Sequence, residues 1–332
     1  MSHSKKKTSE PLVEKRGGVK APSRDKKSRR AAVFTISAVL VIILIAVVVG
    51  ILVSSAPFRI NVVVVDDEVI RMDYFLKRVE LSGEDQFEML GLLATELLVK
   101  IEASKYVGEV TEAEIDDMLR AVAQGDSETI SESEFNEWFR QRLNETGFTR
   151  DEYRGIARIT LLTVRLHEYL AERVPTVAEQ VHLRAIAVST YEETEEVLSR
   201  LEDGEDFADL ARELTLDEES RESGGDIGWF PRGVMGASRM GASWVDDILF
   251  NLEIDGISEP LAFEDAFYIF KLIDRTSLRE ISEEHLWVLK SNVLSDWISQ
   301  EIGAHNVEYH GLHNGFDNET AAWVSLQLAR RD

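Results

Sequence analysis

The spacing of hydrophobic and polar positions changes along the chain, and each change marks a different kind of segment. Residues 31–54 are apolar or uncharged throughout. From about 84 to 174, apolar residues recur at helical spacing, as at Ile115, Met118 and Leu119. Residues 181–189 alternate instead between two faces, which predicts a central β-strand. The chain is therefore expected to contain an apolar span, a helical block and a mixed region.

The helical block is expected to begin at residue 58 and to end at 175. The sequence FRINVVVVDDEVI at 58–70 predicts a short strand or an extended segment ahead of the helices. Three hydroxyl-x-x-Glu capping boxes then predict helix starts, and they pair Thr111 with Glu114, Ser131 with Glu134, and Thr149 with Glu152. Longer helices are predicted over about 84–107 and over 154–174. Residues 58–175 are thus predicted to form an all-helical domain of four to six helices.

The mixed region follows Pro175 and is predicted to be a compact α+β domain over 178–276. A capping box formed by Thr190 and Glu193 predicts a helix after the first strand, and a second helix is expected over 206–217. The sequence GGDIGWF, a Gly/Met-rich loop, a helix near 245–252 and two strands within 257–276 complete the order.

A last amphipathic helix is predicted over 282–303, and residues 304–332 form a C-terminal tail. We expect this helix to pack on the helical block. Its apolar stripe consists of Leu286, Leu289, Val293, Leu294, Trp297, Ile298 and Ile302.

The apolar span 31–54 is predicted to be an uncleaved transmembrane helix. Its 24 residues would extend about 36 Å at the helical rise, enough to cross a bilayer. The basic segment 24–30 predicts a cytoplasmic N-terminus and a body outside the cytoplasm. A cleaved signal peptide is the alternative, but the basic region and the apolar run are both long for one, and Pro57 makes a poor cleavage site. Residues 1–30 are expected to be a disordered cytoplasmic tail.

Charge divides the chain in the same way. Residues 1–30 contain 11 basic and 3 acidic side chains, a net charge of +8, whereas the remainder has a net charge of −32. An acidic body repels nucleic acid. It could favour basic or unfolded polypeptides, although a solvated surface that keeps the protein soluble explains the charge as well. The absence of cysteine excludes disulfides, thiolate metal sites and cysteine nucleophiles.

The order strand, helix, helix, GGDIGWF, helix, strand, strand resembles a parvulin-type (PpiC, rotamase) peptidyl-prolyl isomerase domain. The matching stretches are 207–235, 249–261 and 267–275. The flanking regions resemble extracytoplasmic foldases of the SurA, PrsA and PpiD group, in which a helical N-terminal region and a C-terminal helix form one chaperone lobe around an inserted parvulin domain. The resemblance implies clients that are unfolded or proline-containing polypeptides, and no cofactor.

The resemblance also implies residues for a proline-binding slot. Flexible backbone at the turn formed by Gly224, Gly225, Asp226 and Gly228 would let large side chains pack beside the sheet. The slot would be lined by Ile227, Met235, Met240, Trp244 and Phe263. The choice between the two methionines, and between Trp244 and Val245, stays open. Phe250 is expected to belong to the core.

The catalytic residues of the resembled family are only partly present. Prolyl isomerisation breaks no covalent bond, and its barrier of about 18–20 kcal/mol comes from amide resonance. A catalyst therefore needs an apolar slot and polar groups that favour the twisted amide. The resembled domains generally have two histidines, whose positions are Ala185 and Tyr268 here. Asp217, or Glu218 beside it, matches the family's carboxylate, and the phenol of Tyr268 could donate a hydrogen bond. His182 cannot replace the first histidine, because it is three residues away on a strand.

Three functions follow from these observations. The first is a membrane-anchored extracytoplasmic foldase with prolyl isomerase activity, assigned to Asp217 and Tyr268. The second is a non-catalytic holdase with a degenerate parvulin site, and the third is a structural scaffold of the envelope. No metal site is expected, because His305, His310 and His313, near Asp317 and Glu319, match no closed zinc motif. The sequence leaves the oligomeric state open.

Overall fold

The computed structural model describes residues 41, 43–47, 56–236, 244–313 and 315–330. The chain divides into two compact units, Met1–Phe58 and Arg59–Asp332. In the first unit, residues 41 and 43–47 are helical. The predicted tail 1–30 and the rest of the predicted anchor 31–54 lie outside the described residues. Within the described part of the chain, no helix has the length and apolar character needed to cross a membrane.

The second unit begins with a small sheet and six helices. The helices are α1 (Met72–Ser82), α2 (Gln86–Glu102), α3 (Ser104–Val107), α4 (Glu112–Gln124), α5 (Glu132–Thr146) and α6 (Arg150–Ala171). All three predicted capping boxes of this region form, with Thr111, Ser131 and Thr149 each accepting from the backbone of the paired glutamate. The single helix predicted over 84–107 is instead two helices, because the helix is interrupted at Ala103 between α2 and α3.

The expectation that this block is all-helical is wrong in one respect. The strands β1 (Asn61–Val65) and β2 (Glu68–Arg71) form an antiparallel hairpin. Residues Val307–Tyr309 of the tail form a further strand, β7, which pairs with β1 and gives the order β2-β1-β7. The final helix, Asn318–Leu328, has Val324 fully buried. The ring of Phe316 contacts those of Phe75 and Phe87 edge-on, both at 5.5 Å. The C-terminal tail therefore docks on the beginning of this unit.

The mixed region is a four-stranded antiparallel sheet with helices on both sides. Its elements are β3 (Val177–Val188), α7 (Tyr191–Glu202), α8 (Phe207–Leu214), α9 (Glu218–Arg221), β4 (Asp226–Pro231), α10 (Trp244–Asn251), β5 (Leu261–Phe263) and β6 (Ala266–Glu280). The strand order is β4-β3-β6-β5, so β3 is central. The chain thus combines helices and sheets, as predicted.

The two faces of this sheet pack against different helices, in agreement with the alternation of apolar residues along β3. Ile186 and Val188 face a cluster formed with α7 and α8, which includes Val197, Phe207, Leu210, Ala211 and Ile269. Leu183 and Ala185 belong to the opposite cluster, which includes Phe230, Met235, Val245, Leu249, Phe250, Phe270 and Leu272. The slot that the sequence predicts must lie on this second face.

The predicted amphipathic helix is α11 (Glu283–Glu301), and Ser282 caps it by accepting from the backbone N–H of His285. It contacts both parts of the unit. Leu289, in its first half, packs against the second cluster of the mixed region. Trp297 and Ile298 pack into the core of the helical block. The expectation that the whole stripe covers the helical block is therefore right only for its second half.

Candidate functional site

A cavity of about 350 Å³ opens on the second face of the four-stranded sheet. Its lining is mainly apolar, and Asp217 and Tyr268 are the hydrogen-bonding side chains among the lining residues. The lining residues are Ala185, Ala187, Leu216, Asp217, Ile227, Met235, Phe263, Ala266, Tyr268 and Phe270. An apolar concavity with two convergent polar side chains is typical of a binding site.

Asp217 reaches the cavity because the segment before it is attached to the end of β3. The backbone N–H of Ala187 donates to Oγ1 of Thr215 at 3.0 Å, and the N–H of Leu216 donates to the carbonyl of Ala187 at 2.8 Å. The hydroxyl of Ser220 in turn donates to Oδ2 of Asp217 at 2.5 Å. These bonds fix one carboxylate oxygen of Asp217 and the backbone that precedes it.

Tyr268 reaches the cavity from β6, the neighbouring strand. The register places Tyr268 opposite Ala187 and Phe270 opposite Ala185. The rings of Tyr268 and Phe270 stack with centroids 6.1 Å apart, and the ring of Phe263 lies 6.4 Å from that of Tyr268. The aromatic wall is therefore continuous from β5 to β6, with the small side chains of Ala185 and Ala187 beside it.

The glycine-rich turn is shaped by close packing. Gly225 has a φ of +77°, and a Cβ there would lie 2.4 Å from the carbonyl oxygen of Ala185 and 2.9 Å from Cβ of Ala211. Gly224, with a φ of +69°, would place a Cβ 2.6 Å from Cβ of Ala208. Only glycine fits both the backbone conformation and the space. The turn thus lies against β3 and α8 and leads directly into Ile227.

Asp226, the third residue of the predicted turn, interacts with His182, which the alternation of β3 excludes from the first histidine position. Its Oδ1 accepts from the N–H of Gly228 at 3.0 Å and lies 2.8 Å from Nε2 of His182. The His182 ring stacks on Trp229, with centroids 5.0 Å apart. The register of β3 with β4, which places His182 opposite Trp229, creates this arrangement. His182 does not line the cavity, as the alternation predicts.

Some of the other predicted slot residues line the cavity, and others do not. Ile227, Met235 and Phe263 line the cavity. Trp244 is not among the lining residues and is half-exposed, while Val245 is fully buried. Met240 lies outside the described residues. Phe250 is buried in the second cluster, consistent with a core role.

Four lining residues were not named from the sequence: Ala187, Leu216, Ala266 and Phe270. The alternation of β3 offered a signal for Ala187, since it shares a face with Ala185.

One buried carboxyl supports the chain behind Met235. Asp246 on α10 is 3% exposed, and its Oδ2 accepts from the N–H of Gly233 at 3.1 Å. Burial raises the pKa of Asp246. This contact ties the start of α10 to the segment that leads into the cavity wall.

The three histidines of the C-terminal tail do not converge. His310 lies 3.0 Å from Glu308, and His313 lies 2.9 Å from Glu319. His305 instead faces Asp66 and Glu102. Among the described residues, the group with a geometry that could hold a metal ion is Glu102, Glu301 and His305.

Comparison with known proteins identifies the mixed region. Residues 180–274 match the family described as Rotamase: PPIC-type PPIASE domain. Foldase protein PrsA of Oceanobacillus iheyensis is 25% identical over 237 residues, which cover 68% of this chain and 72% of the relative. Foldase protein PrsA of Halalkalibacterium halodurans is 36% identical over 107 residues, 32% of this chain and 30% of that protein. Periplasmic chaperone PpiD of Haemophilus ducreyi is 30% identical over 155 residues, 45% of this chain and 23% of the relative.

The crystal structure of the peptidylprolyl isomerase PrsA from Bacillus cereus aligns with 21% identity and a TM-score of 0.37, and covers 82% of this chain and 92% of that one. Over residues 180–274 the chain is similar to parvulin domains of the PpiC type. Along more of its length it resembles foldases of the SurA, PrsA and PpiD type, and this recognition from the sequence is confirmed.

Proposed function

We propose that this protein is a membrane-anchored foldase that acts outside the cytoplasm and binds proline-containing segments of its clients in the cavity between Asp217 and Tyr268. The observation that supports this most directly is the cavity itself, which is apolar, about 350 Å³ in volume and located in a PpiC-type domain. The anchor is the uncharged span 31–54, and the basic residues ahead of it favour a cytoplasmic N-terminus.

The cavity offers what prolyl isomerisation requires. In this proposal the side chains of Ile227, Met235 and Phe263 receive the proline ring. The hydroxyl of Tyr268 then donates to the client amide, and Asp217 accepts from a client N–H or polarises the amide. Twisting the amide reduces its conjugation, so a hydrogen bond that forms only in the twisted state accelerates the reaction about tenfold for each 1.4 kcal/mol.

A second function, holding clients without catalysis, is favoured by Ala185. This position and Tyr268 are where the resembled domains generally have histidine, and an alanine offers no hydrogen bond. A second cavity, of about 360 Å³, lies among β2, α1, α2 and α6, and its lining includes Val69, Leu97 and Ile159 together with charged side chains. A holdase would use both cavities to cover apolar segments of an unfolded chain.

Two measurements on the full chain in mild detergent separate these functions. The first is the rate of cis–trans exchange of a proline-containing peptide. If the protein is an isomerase, Tyr268→Phe lowers the rate while the peptide still binds. If the exchange rate does not exceed the uncatalysed rate, isomerase activity is rejected. The second is suppression of aggregation of an unfolded client, which a holdase retains in the Tyr268→Phe variant.

A matched pair of substitutions tests the cavity as the binding site. Ile227→Ala removes apolar contact surface and is expected to weaken binding about five- to tenfold. Ile254→Ala is the control, because Ile254 is 60% exposed and does not line the cavity. Equal binding by both variants would place the peptide elsewhere.

A further inference from the structure

The junction between α2, α11 and the β1–β2 turn contains a group of metal-ligating side chains that the proposed foldase activity does not use. Glu102 is the last residue of α2, Glu301 is the last residue of α11, and His305 follows after one short turn. One ligand atom from each of the three lies within 4.8 Å of the other two. We propose that Glu102, Glu301 and His305 bind a divalent transition-metal ion of the zinc type.

The orientation of His305 is the first argument. Its Nδ1 lies 2.7 Å from Oδ2 of Asp66 in the β1–β2 turn. The carboxylate of Asp66 also accepts from the N–H of Asn306 at 2.9 Å. A carboxylate that accepts a hydrogen bond from one ring nitrogen fixes the tautomer and the orientation of the ring. Metal-binding histidines commonly have such a hydrogen bond on the nitrogen that does not bind the metal.

The free ring nitrogen is the second argument. The His305 side chain is only 10% exposed, and its Nε2 lies 3.6 Å from Oε1 of Glu102. Within the described part of the chain, no hydrogen bond reaches Nε2. In the neutral ring this nitrogen has a lone pair that can bind a metal ion. The structure therefore has a mostly buried imidazole whose second nitrogen faces a carboxylate of the candidate site.

Charge is the third argument. The Glu102 side chain is 8% exposed, and in this structure Nζ of Lys105 contacts both of its oxygens at 2.6 Å. Lys105 is itself 63% exposed, so its ammonium can move into solvent when a divalent ion replaces it. Glu301 is in reach of the Tyr106 hydroxyl at 3.5 Å, a weak contact that leaves the carboxylate able to turn.

The donor set selects among metal ions. Calcium binds six to eight oxygen ligands and does not favour an imidazole nitrogen as a ligand. One imidazole and two carboxylates suit zinc, with bonds of about 2.0–2.2 Å and water in the remaining position. Bonds of that length bring the ligand atoms to about 3.3 Å from one another. The site therefore requires a contraction of its present geometry.

The experiment is a zinc titration of the full chain without an affinity tag, in mild detergent. Binding is measured by calorimetry, and the ligands are identified by X-ray absorption at the zinc edge. We expect one tightly bound ion with one imidazole and oxygen ligands, and a rise in Tm of roughly 5 °C when zinc is hundredfold above its Kd. Glu301→Gln is expected to weaken zinc binding at least tenfold without changing the Tm in chelator.

Two further variants distinguish a metal site from a structural ion pair. Lys105→Met removes the competing ammonium and is expected to strengthen zinc binding several-fold, which a merely structural role of Glu102 would not produce. His313→Gln, on the tail, is the control and should bind zinc as the wild type does. Equal zinc affinity of wild type and Glu301→Gln, weaker binding in Lys105→Met, or loss of binding in His313→Gln would each overturn the proposal.

Discussion

The guanidinium of Arg78 contacts both carboxylate oxygens of Glu96, with nitrogen-to-oxygen distances of 2.6 and 2.7 Å. The two side chains are 8% and 16% exposed and join α1 to α2. Arg78 also donates to the hydroxyl of Tyr74 at 3.2 Å. This pair holds the wall of the second cavity, whose lining includes Tyr74 and Glu96.

Removal of one partner of this buried pair leaves the other charge uncompensated. Glu96→Ala is therefore expected to lower the free energy of unfolding by about 3–5 kcal/mol. Glu137→Ala is the control, because Glu137 pairs with Arg140 on the surface, where both side chains are more than 60% exposed. The control should change stability by no more than about 0.5 kcal/mol. Urea denaturation measures both, and similar losses would show that burial does not govern the effect.

The glycine turn gives a second pair of variants. Gly225→Ala places a Cβ 2.4 Å from a backbone carbonyl oxygen at a φ of +77°, so we expect destabilisation by more than about 2 kcal/mol. Gly228→Ala has a φ of +88° but no atom within 4 Å of the added Cβ. It should cost only the backbone strain, about 1 kcal/mol. If Gly228→Ala lowered the free energy of unfolding as much as Gly225→Ala does, the role assigned to close packing would be contradicted.

The two tryptophans of α11 differ in burial and test its contact with the helical block. Trp297 is 8% exposed and packs in the helical core, whereas Trp287 is 71% exposed. Trp297→Ala is expected to destabilise the fold by about 3–5 kcal/mol. Trp287→Ala should alter stability by less than about 0.5 kcal/mol. Thermal or urea unfolding followed by circular dichroism provides the comparison, and equal effects would argue against the docking of α11.

Glu114 gives a pH-dependent prediction. Hydrogen bonds from the backbone and side chain of Thr111, and then the ion pair with Arg165, lower the pKa of Glu114 to about 2. A carboxyl whose pKa is lowered on folding stabilises the protein above its unfolded pKa and loses that contribution as the pH falls. The difference in urea midpoint between wild type and Glu114→Gln should therefore be full at pH 7 and should shrink between about pH 4.5 and pH 2.

A substitution of the exposed Glu195 to Gln serves as the control for this titration. Its effect should be small at both pH values, because Glu195 lies on the surface of α7. A Glu114→Gln effect that is constant from pH 7 to pH 2 would exclude the proposed cause.

Local chemistry made part of this structure predictable. The box of Thr190 and Glu193 starts α7 as expected, because its two hydrogen bonds connect residues three apart. The alternation along β3 assigned its residues to two faces for the same local reason. The resemblance named Asp217, Ile227 and Tyr268, which come together around one cavity.

Contacts between distant residues were not predictable from local patterns. The strand Val307–Tyr309 has three residues and forms only because Val63–Val65 offers an open edge. An apolar stripe on α11 shows that a partner exists, but not that Leu289 and Trp297 have different ones. The contact of His182 with Asp226 depends on the register of β3 and β4, which no short stretch of sequence determines.

The position of the four-stranded sheet within the second unit limits the order in which the protein can assemble. Val177 pairs with Glu280, so the domain leaves and rejoins the rest of the unit at one place. All of its strands emerge from the ribosome before α11, β7 and the last helix. The mixed region can therefore finish folding while the helical block is still incomplete, because that block needs Val307–Tyr309 and Asn318–Leu328, which are synthesised later.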